Sequence, residues 1–373
     1  MMIALALLGA AVALAFANGA NDNFKGVATL YGSRRLSYRG AIAFATLTTL
    51  AGSLSAFVVA TGLARRFSGK GLVPDGVVAD PGFVLAVAIG GALTVLLATR
   101  LGFPISTTHA LTGALLGGGL VMAGAANVSY SALTSSFAIP LLMSPLVSLV
   151  LAAGIHAGLS RAVGWLETSD PTCLCAVSVG EPAALLPGGL LVRLQAAPQL
   201  QVAALGDCER HGAQRLLTLN PRSFLDGLHL VSAGAVGFAR GLNDTPKIAG
   251  VLVATHVLAP GLATPVLAAA MAIGGWAAAR RVARTLSFDI TGMDEREGLS
   301  ANLVTAGLVL LASPLGLPVS TTHVSCGALV GIGASNGEAR WKTIGAIVGA
   351  WTVTLPAAAL LSALAALALN VIR

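Results

Sequence analysis

The chain has 373 residues, of which 55% are hydrophobic and 10% charged, and its mean hydropathy is +0.84. A soluble domain carries about 25% charged residues, so the composition excludes a soluble globular protein and selects a polytopic membrane protein. The net charge of +7 falls mostly in loops between apolar runs. Orientation in the membrane accounts for it, and no aromatic-interleaved basic patch points to nucleic acid.

In chain order, Met1–Ala17 is apolar and ends in Ala15-Phe16-Ala17, like a secretory cleavage site. It has no basic n-region and is read as a retained structural segment that breaks at Asn18-Gly-Ala-Asn-Asp. Tyr38–Ala64 is long enough for one tilted span. Arg65–Pro81 is a charged loop. Phe83–Thr99 runs into Gly102–His109, which reads GFPISTTH, and Gly-rich Ala110–Ala126 follows. Ser131–Leu159 is a further span with Pro140 and Pro145 as kinks.

Residues 161–222 change character, with acidic and basic residues, five prolines and three cysteines. Patches such as Leu190–Leu194 are too short to cross a bilayer. The C-x-C of Cys173 and Cys175, with distant Cys208, lacks a fourth metal ligand at convincing spacing, so plain reduced thiols are expected. The domain reading is a first transmembrane repeat over 1–160, a soluble Cys-containing insert of unassigned fold over 161–222, and a second transmembrane repeat over 223–373.

That second half mirrors the first. Phe224–Arg240 leads into Gly241-Leu-Asn-Asp, Ala259–Ala279 is a span, and Arg280–Gly298 is a charged loop. Ser300–Leu315 leads into Gly316–His323, which reads GLPVSTTH. Val324–Ser335 and Ile344–Ile372 close the chain. GFPISTTHALTGALLG and GLPVSTTHVSCGALVG agree at 10 of 16 positions. Upstream, Phe16–Lys25 (FANGANDNFK) and Phe238–Lys247 (FARGLNDTPK) share the frame F-A-x-G-x-N-D-x-x-K. Asp22 precedes Ser106 by 84 residues and Asp244 precedes Ser320 by 76. Two motifs in one order at similar spacing mean duplication of a whole half.

If the halves are inverted, the Arg280–Gly298 loop shares a side with Arg34, Arg35 and Arg39. That side collects seven basic residues against three (Arg65, Arg66, Lys70), which marks it as cytoplasmic.

Breaks inside membrane segments are tolerated only where protein buries them or a wet cavity lies beside them. Matching breaks in two halves are the pattern of a secondary transporter with its site between repeats. A half-helix starting after Ser-Thr-Thr presents free N–H groups, the positive end of its dipole and hydroxyl donors, the chemistry of an oxyanion cage. Ordinary N-capping by the same hydroxyls is the plain alternative. Asp22 and Asp244 are costly inside a membrane and therefore functional candidates. They could bind Na⁺, relay H⁺ or accept a hydrogen bond from a protonated phosphate oxygen, which sulfate lacks. Each also suits capping of the following helix, with Pro246 in a first turn. Lys25 and Lys247, three residues after an Asp, are either local ion-pair partners or fixed charges facing the anion. Arg240 either reaches the substrate or snorkels to the interface. His109 and His323 suit proton coupling, or bonding to backbone carbonyls that unwinding leaves unpaired. No H-E-x-x-H, P-loop lysine or G-x-S-x-G motif suggests an enzyme.

At these residues the chain resembles the inorganic phosphate transporter (PiT) family, which carries duplicated G-x-N-D and P-[IV]-S-T-T-H motifs around a variable central loop. The resemblance runs from about Phe16 to the end, apart from residues 161–222. It implies an all-α polytopic fold of two inverted repeats with broken or re-entrant helices, about 10–12 membrane segments, in the cell membrane. It implies phosphate transport by alternating access, coupled to Na⁺ or H⁺, with no tightly bound cofactor. Sulfate is the alternative substrate, and an uncoupled anion channel or sensor is the alternative from another class. The lipid bilayer and, as a possible assembly, a homodimer complete the expected partners. Carried over by residue, the substrate-binding positions are Asn21, Asp22, Ser106, Thr107, Thr108, Asn243, Asp244, Ser320, Thr321 and Thr322. Asp22 and Asp244 double as coupling-ion ligands, and Lys25, Lys247 and Arg240 are accessory charges. Two departures stand out. Lys25 and Lys247 replace the family's usual second Asn, and the intramembrane Glu of many members is missing near Thr49 and Asn302. Both shift the site toward positive charge and predict weaker or absent Na⁺ dependence, with H⁺ coupling or exchange instead.

Overall fold

The computed structural model describes residues 2–167, 172–177, 183–186, 190–193, 199–204, 214–219, 221–253 and 260–372. The chain divides into two compact units. One is Met1–Ala157 with His229–Arg373, and the other is Gly158–Leu228.

Among the described residues, ten helices of 16 residues or more carry the framework, five from each half. The first half supplies α1 (Met2–Asp22), α2 (Tyr38–Val59), α3 (Pro81–Leu101), α4 (Thr107–Met122) and α5 (Ile139–Glu167). The second supplies α6 (Pro221–Val253), α7 (Pro260–Ala278), α8 (Glu295–Ala312), α9 (Thr321–Asn336) and α10 (Trp341–Ile372). Local chemistry sets their ends. Ser37 caps α2, Asp80 followed by Pro81 starts α3, and an Asp294–Glu297 capping box starts α8. Gly102, at φ 80°, ends α3 in the left-handed region that glycine enters without penalty.

Among the described residues, five helices are long and apolar enough to cross a membrane, or six if the bent pair Tyr38–Ala56 with Thr61–Phe67 is one span. The sequence count of 10–12 is higher because it includes the 16-residue half-helices α4 and α9. It also includes α6 and α8, whose charged residues lower their hydropathy. The single tilted span expected over Tyr38–Ala64 bends by 84° instead. The bend follows Val58-Val59, a β-branched pair that weakens helix, and centres on buried Ala60.

The first Asn-Asp motif breaks its segment as expected: α1 stops at Asp22 and a 3₁₀ turn follows at Lys25–Val27. The second does not. α6 runs unbroken through Gly241-Leu-Asn-Asp, and Pro246 lies inside it rather than in a first turn. Proline's fixed φ is helical, so Pro246 removes the hydrogen bond to Leu242 without ending the helix.

The packing between halves is reciprocal. Gly19 of α1 lies so close to the Met271 carbonyl of α7 that a Cβ would overlap it, and Gly274 stands likewise against Phe16. The equivalent pair is Gly241 of α6 against Thr49 of α2, and Gly52 against Phe238. Further out, α4 packs on α10 through Gly113 and Gly117, while α9 packs on α5 through Gly327 and Gly331. Every one of these crossings joins one half to the other. Small residues let helices approach where lipid offers no hydrophobic drive. The two basic loops also meet: Arg35 pairs with Glu295 at 2.6 Å, and Arg280 lies 5.7 Å from the Tyr38 ring.

Within Met1–Ala157 and His229–Arg373 the described structure is helical, as expected of an all-α membrane fold. The insert, whose fold the sequence leaves open, carries strands β1 (Thr172–Val177), β2 (Ala183–Leu186), β3 (Leu190–Arg193), β4 (Gln199–Ala204) and β5 (Gln214–Leu219). They form an antiparallel sheet of order β4-β1-β5 and a β2-β3 hairpin pair. Cys208 and Leu194 lie outside the described residues.

Candidate functional site

The four motifs converge on one buried polar cluster. Both STTH segments begin half-helices, and their serines act as caps: Ser106 Oγ accepts from the His109 N–H at 3.0 Å and Ser320 Oγ from the His323 N–H at 3.1 Å. The plain capping reading therefore holds for the serines. Of the threonines that follow, Thr108 and Thr322 cross between halves. Lys25 Nζ donates to Thr322 Oγ1, and Thr322 donates on to the Ile105 carbonyl at 2.7 Å. In the mirrored arrangement Lys247 Nζ donates to Thr108 Oγ1 at 2.8 Å and to the Val319 carbonyl at 2.7 Å, with Thr108 3.5 Å from Val319 O. Each lysine thus grips the opposite half's hydroxyl while pairing with its own aspartate: Lys25 with Asp22, and Lys247 with Asp244 at 3.6 Å. The ion-pair reading of the lysines is met, and their cross-half bonds add to it.

The aspartates meet through Asn18. Its Nδ2 lies 3.2 Å from Asp22 Oδ2, 3.2 Å from Asp244 Oδ2 and 3.0 Å from Thr107 Oγ1. Thr107 Oγ1 in turn donates to Asp22 at 3.2 Å. Arg240 does not snorkel. It is wholly buried, donating to Asn18 Oδ1 at 2.6 Å, Asn23 Oδ1 at 2.9 Å and Thr49 Oγ1 at 3.3 Å, with Nε 3.6 Å from Asp244. Three basic and two acidic side chains therefore share one buried cluster, a net formal charge of +1. Buried charges persist only when paired and hydrogen-bonded, and here each has both.

The motif asparagines serve the backbone. Asn21 donates to Thr99 Oγ1 and to the Phe103 carbonyl, each at 3.0 Å, and accepts from Ile105 N–H at 3.1 Å. It pins the extended segment before α4. Asn243 does the same before α9, donating to Val319 O at 3.3 Å and accepting from Ser313 Oγ at 3.2 Å. Thr321 is buried at the start of α9. The histidines leave the cluster and lie against each other at a tilt, with ring centroids 4.4 Å apart and His323 4.1 Å from Trp351. His323 Nδ1 bonds the Leu141 carbonyl at 3.2 Å, which Pro145, four residues on, leaves without a helical donor. His109 Nδ1 has no partner among the described residues.

Sequence reasoning missed Asn18, Asn23 and Thr49. A signal for the first was present, since the F-A-x-G frame aligns Asn18 with Arg240, and the two prove to be bonded. Thr49 lies beside Arg240, whereas Asn302 bonds Thr29 at 2.9 Å and Ser232 at 3.4 Å, both outside the cluster.

A model described as the phosphate transporter family matches residues 18–362 of the chain, which takes in both copies of both motifs. The chain belongs to the phosphate transporter family. It is accordingly a multi-pass membrane transporter and not an enzyme. Among relatives in this family, a Pyrococcus abyssi protein that carries the name of a phosphate permease is 28% identical over 95% of this chain and 94% of its own. A Mycobacterium tuberculosis protein named for low-affinity inorganic phosphate transport is 28% identical over 97% of this chain and 76% of its own. A solved structure titled as the sodium-dependent phosphate transporter matches the fold with a TM-score of 0.74 at 22% identity, over all of both chains.

Proposed function

We propose that the chain carries inorganic phosphate across the membrane by alternating access between two inverted repeats, with the anion held where Thr107, Thr108, Thr321 and Thr322 meet Asp22 and Asp244. The observation that carries this reading is the pair of crossed Lys–Thr contacts, which bring both STTH half-helices and both Asn-Asp motifs to one buried point. The Ser caps satisfy only one first-turn N–H in each half-helix, leaving others with the dipole's positive end for an oxyanion. Near neutral pH phosphate keeps a proton to donate to a carboxylate and sulfate does not, so two carboxylates beside the anion favour phosphate. Names of the relatives and the family description support the same substrate.

Inverted topology is supported by the reciprocal glycine crossings and by the meeting of the Arg34–Arg39 and Arg280–Gly298 loops. In such transporters, carboxylates, hydroxyls and unwound carbonyls commonly hold the coupling cation. Here those groups hold ammonium: Lys247 Nζ has Asp244, Thr108 and Val319 O around it, and Lys25 has Asp22 and Thr322. The fixed ammonium takes the place of a mobile ion, so transport proceeds without Na⁺, by H⁺ coupling or exchange. Radiolabelled phosphate uptake into proteoliposomes tests both parts. Uptake should survive replacement of Na⁺ by choline and be competed by arsenate but not sulfate. Loss of uptake in choline defeats the ammonium reading, and equal competition by sulfate defeats the phosphate reading.

A further inference from the structure

A second concentration of positive charge lies apart from the buried cluster. Arg100 at the end of α3, Arg280, Arg281 and Arg284 in the short helix Arg280–Arg284, and Arg340 before α10 line one cavity of about 1130 Å³, with Asp289 as its one acidic residue among the described residues. Tyr31, Tyr38 and Phe288 form an aromatic wall. An adjoining cavity of about 330 Å³ shares Asp289 and Arg340 and adds Lys342.

Few of these cations are neutralised. Arg281 donates to the Arg100 carbonyl and Arg280 lies over the Tyr38 ring. Among the described residues, the Arg284 and Arg340 side chains have no hydrogen bond or ion pair. Orientation in the membrane requires positive loops, but it does not require five arginines to line one concavity with a single acidic residue among the described residues. Like charges gathered this way repel, and a cleft walled by one sign raises the local concentration of the opposite ion. Guanidinium forks match phosphate oxygens in a two-point geometry.

The cavity also reaches the first break. Thr99 lines the larger space and Gly102 and Phe103 the smaller, and Asn21 binds Thr99 and the Phe103 carbonyl. On the loop count above, this is the cytoplasmic face.

We propose that this arginine-walled cavity is a second phosphate-group site, at the membrane interface, standing one residue layer from the Asn21 brace of the transport site. The inference builds on the proposed function only in placing the site on the anion's route. Its ligand chemistry is a phosphate group, supplied either by free orthophosphate or by the headgroup of an anionic phospholipid.

The test is protection of Arg284 and Arg340 from phenylglyoxal, mapped by peptide mass spectrometry on the purified full chain in detergent. Orthophosphate at about ten times its dissociation constant should slow modification about tenfold, with chloride at equal ionic strength as the control. Short-chain phosphatidylglycerol forms the second arm. Protection by orthophosphate identifies the free anion, and protection by phosphatidylglycerol alone identifies a headgroup. Equal slowing by chloride, or no slowing in either arm, overturns the proposal. Protection should persist in Asp244→Asn, whose transport site is broken, so failure of this inference and failure of the transport reading are separable. In Arg340→Gln, protection at Arg284 should weaken several-fold; unchanged protection there also overturns a shared site.

Discussion

Lys247→Ala isolates the role of the buried ammonium. In the native chain Nζ is wholly buried, 3.6 Å from an Asp244 oxygen, 2.8 Å from Thr108 Oγ1 and 2.7 Å from the Val319 carbonyl. Attraction between unit charges 3.6 Å apart is about 4–5 kcal/mol at an effective dielectric constant of about 20. Asp244 keeps Arg240, also at 3.6 Å, and the amides of Asn18 and Asn243, so the net loss is smaller, about 3 kcal/mol, at the low end for breaking a buried pair. About 3 kcal/mol corresponds to roughly a hundredfold in an equilibrium or rate. Alanine also opens a space bounded by a carboxylate, a hydroxyl and a carbonyl, the oxygen set a sodium ion takes. Phosphate uptake in proteoliposomes should therefore fall about a hundredfold in choline and recover in part in Na⁺, while the native chain responds to neither exchange. Thermal unfolding followed by size-exclusion in detergent separates loss of transport from loss of fold. Full uptake by Lys247→Ala in choline refutes the ammonium argument. A folded, inactive variant with no sodium response refutes the idea that the lysine occupies a cation position.

Other substitutions separate the roles inside the cluster. Thr322→Val keeps shape but orphans the Ile105 carbonyl and removes the Lys25 contact; uptake should drop by about tenfold to a hundredfold. Ser106→Ala removes a cap and should lower stability by about 1 kcal/mol, with a smaller change in uptake than Thr322→Val. Gly19→Ala places a Cβ on the Met271 carbonyl and should abolish the monodisperse peak in detergent, whereas Gly349→Ala, with open space around it, should shift stability by no more than about 1 kcal/mol. In a cysteine-free background, single cysteines at Arg39 and Arg284 should be labelled by an impermeant maleimide from one side of the membrane and a cysteine at Lys70 from the other. Labelling of the Arg284 position from the same side as Lys70 and opposite to Arg39 rules out the inverted topology.

Much of this was legible because duplication marks its own importance. P-x-S-T-T-H and G-x-N-D recur, and the aspartates and several threonines of the two copies meet in one buried cluster. Composition alone identified the membrane class, and the Ser-Thr-Thr cap geometry follows from local rules. What stayed hidden depends on three-dimensional pairing. No linear pattern says that Lys25 reaches Thr322 rather than Thr108, because that depends on which half packs on which. Nor does the frame say that the two Asn-Asp motifs differ in backbone. Pro246 is compatible with either a helix start or a helix interior, and the structure shows α6 continuous through it. Nor does any linear pattern say that Asn21 also bonds the chain segment before α4 and Asn243 the one before α9. The strands of the insert carry too weak a periodic signal, between prolines, for the sequence to assign them.

The crossed packing has a consequence for biosynthesis. The amino-terminal half leaves the ribosome first, carrying Lys25, Thr108 and the Ile105 carbonyl before Thr322, Lys247 and Val319 exist. In hydrocarbon, polar groups without partners cost several kcal/mol each, so the early half cannot rest in the bilayer as a finished module. It must be shielded by water, by the insertion machinery or by transient self-pairing such as Lys25 with Asp22 until α6 and α9 arrive. The sequence duplicates a half, but the smallest piece that closes its own hydrogen bonds is both halves together.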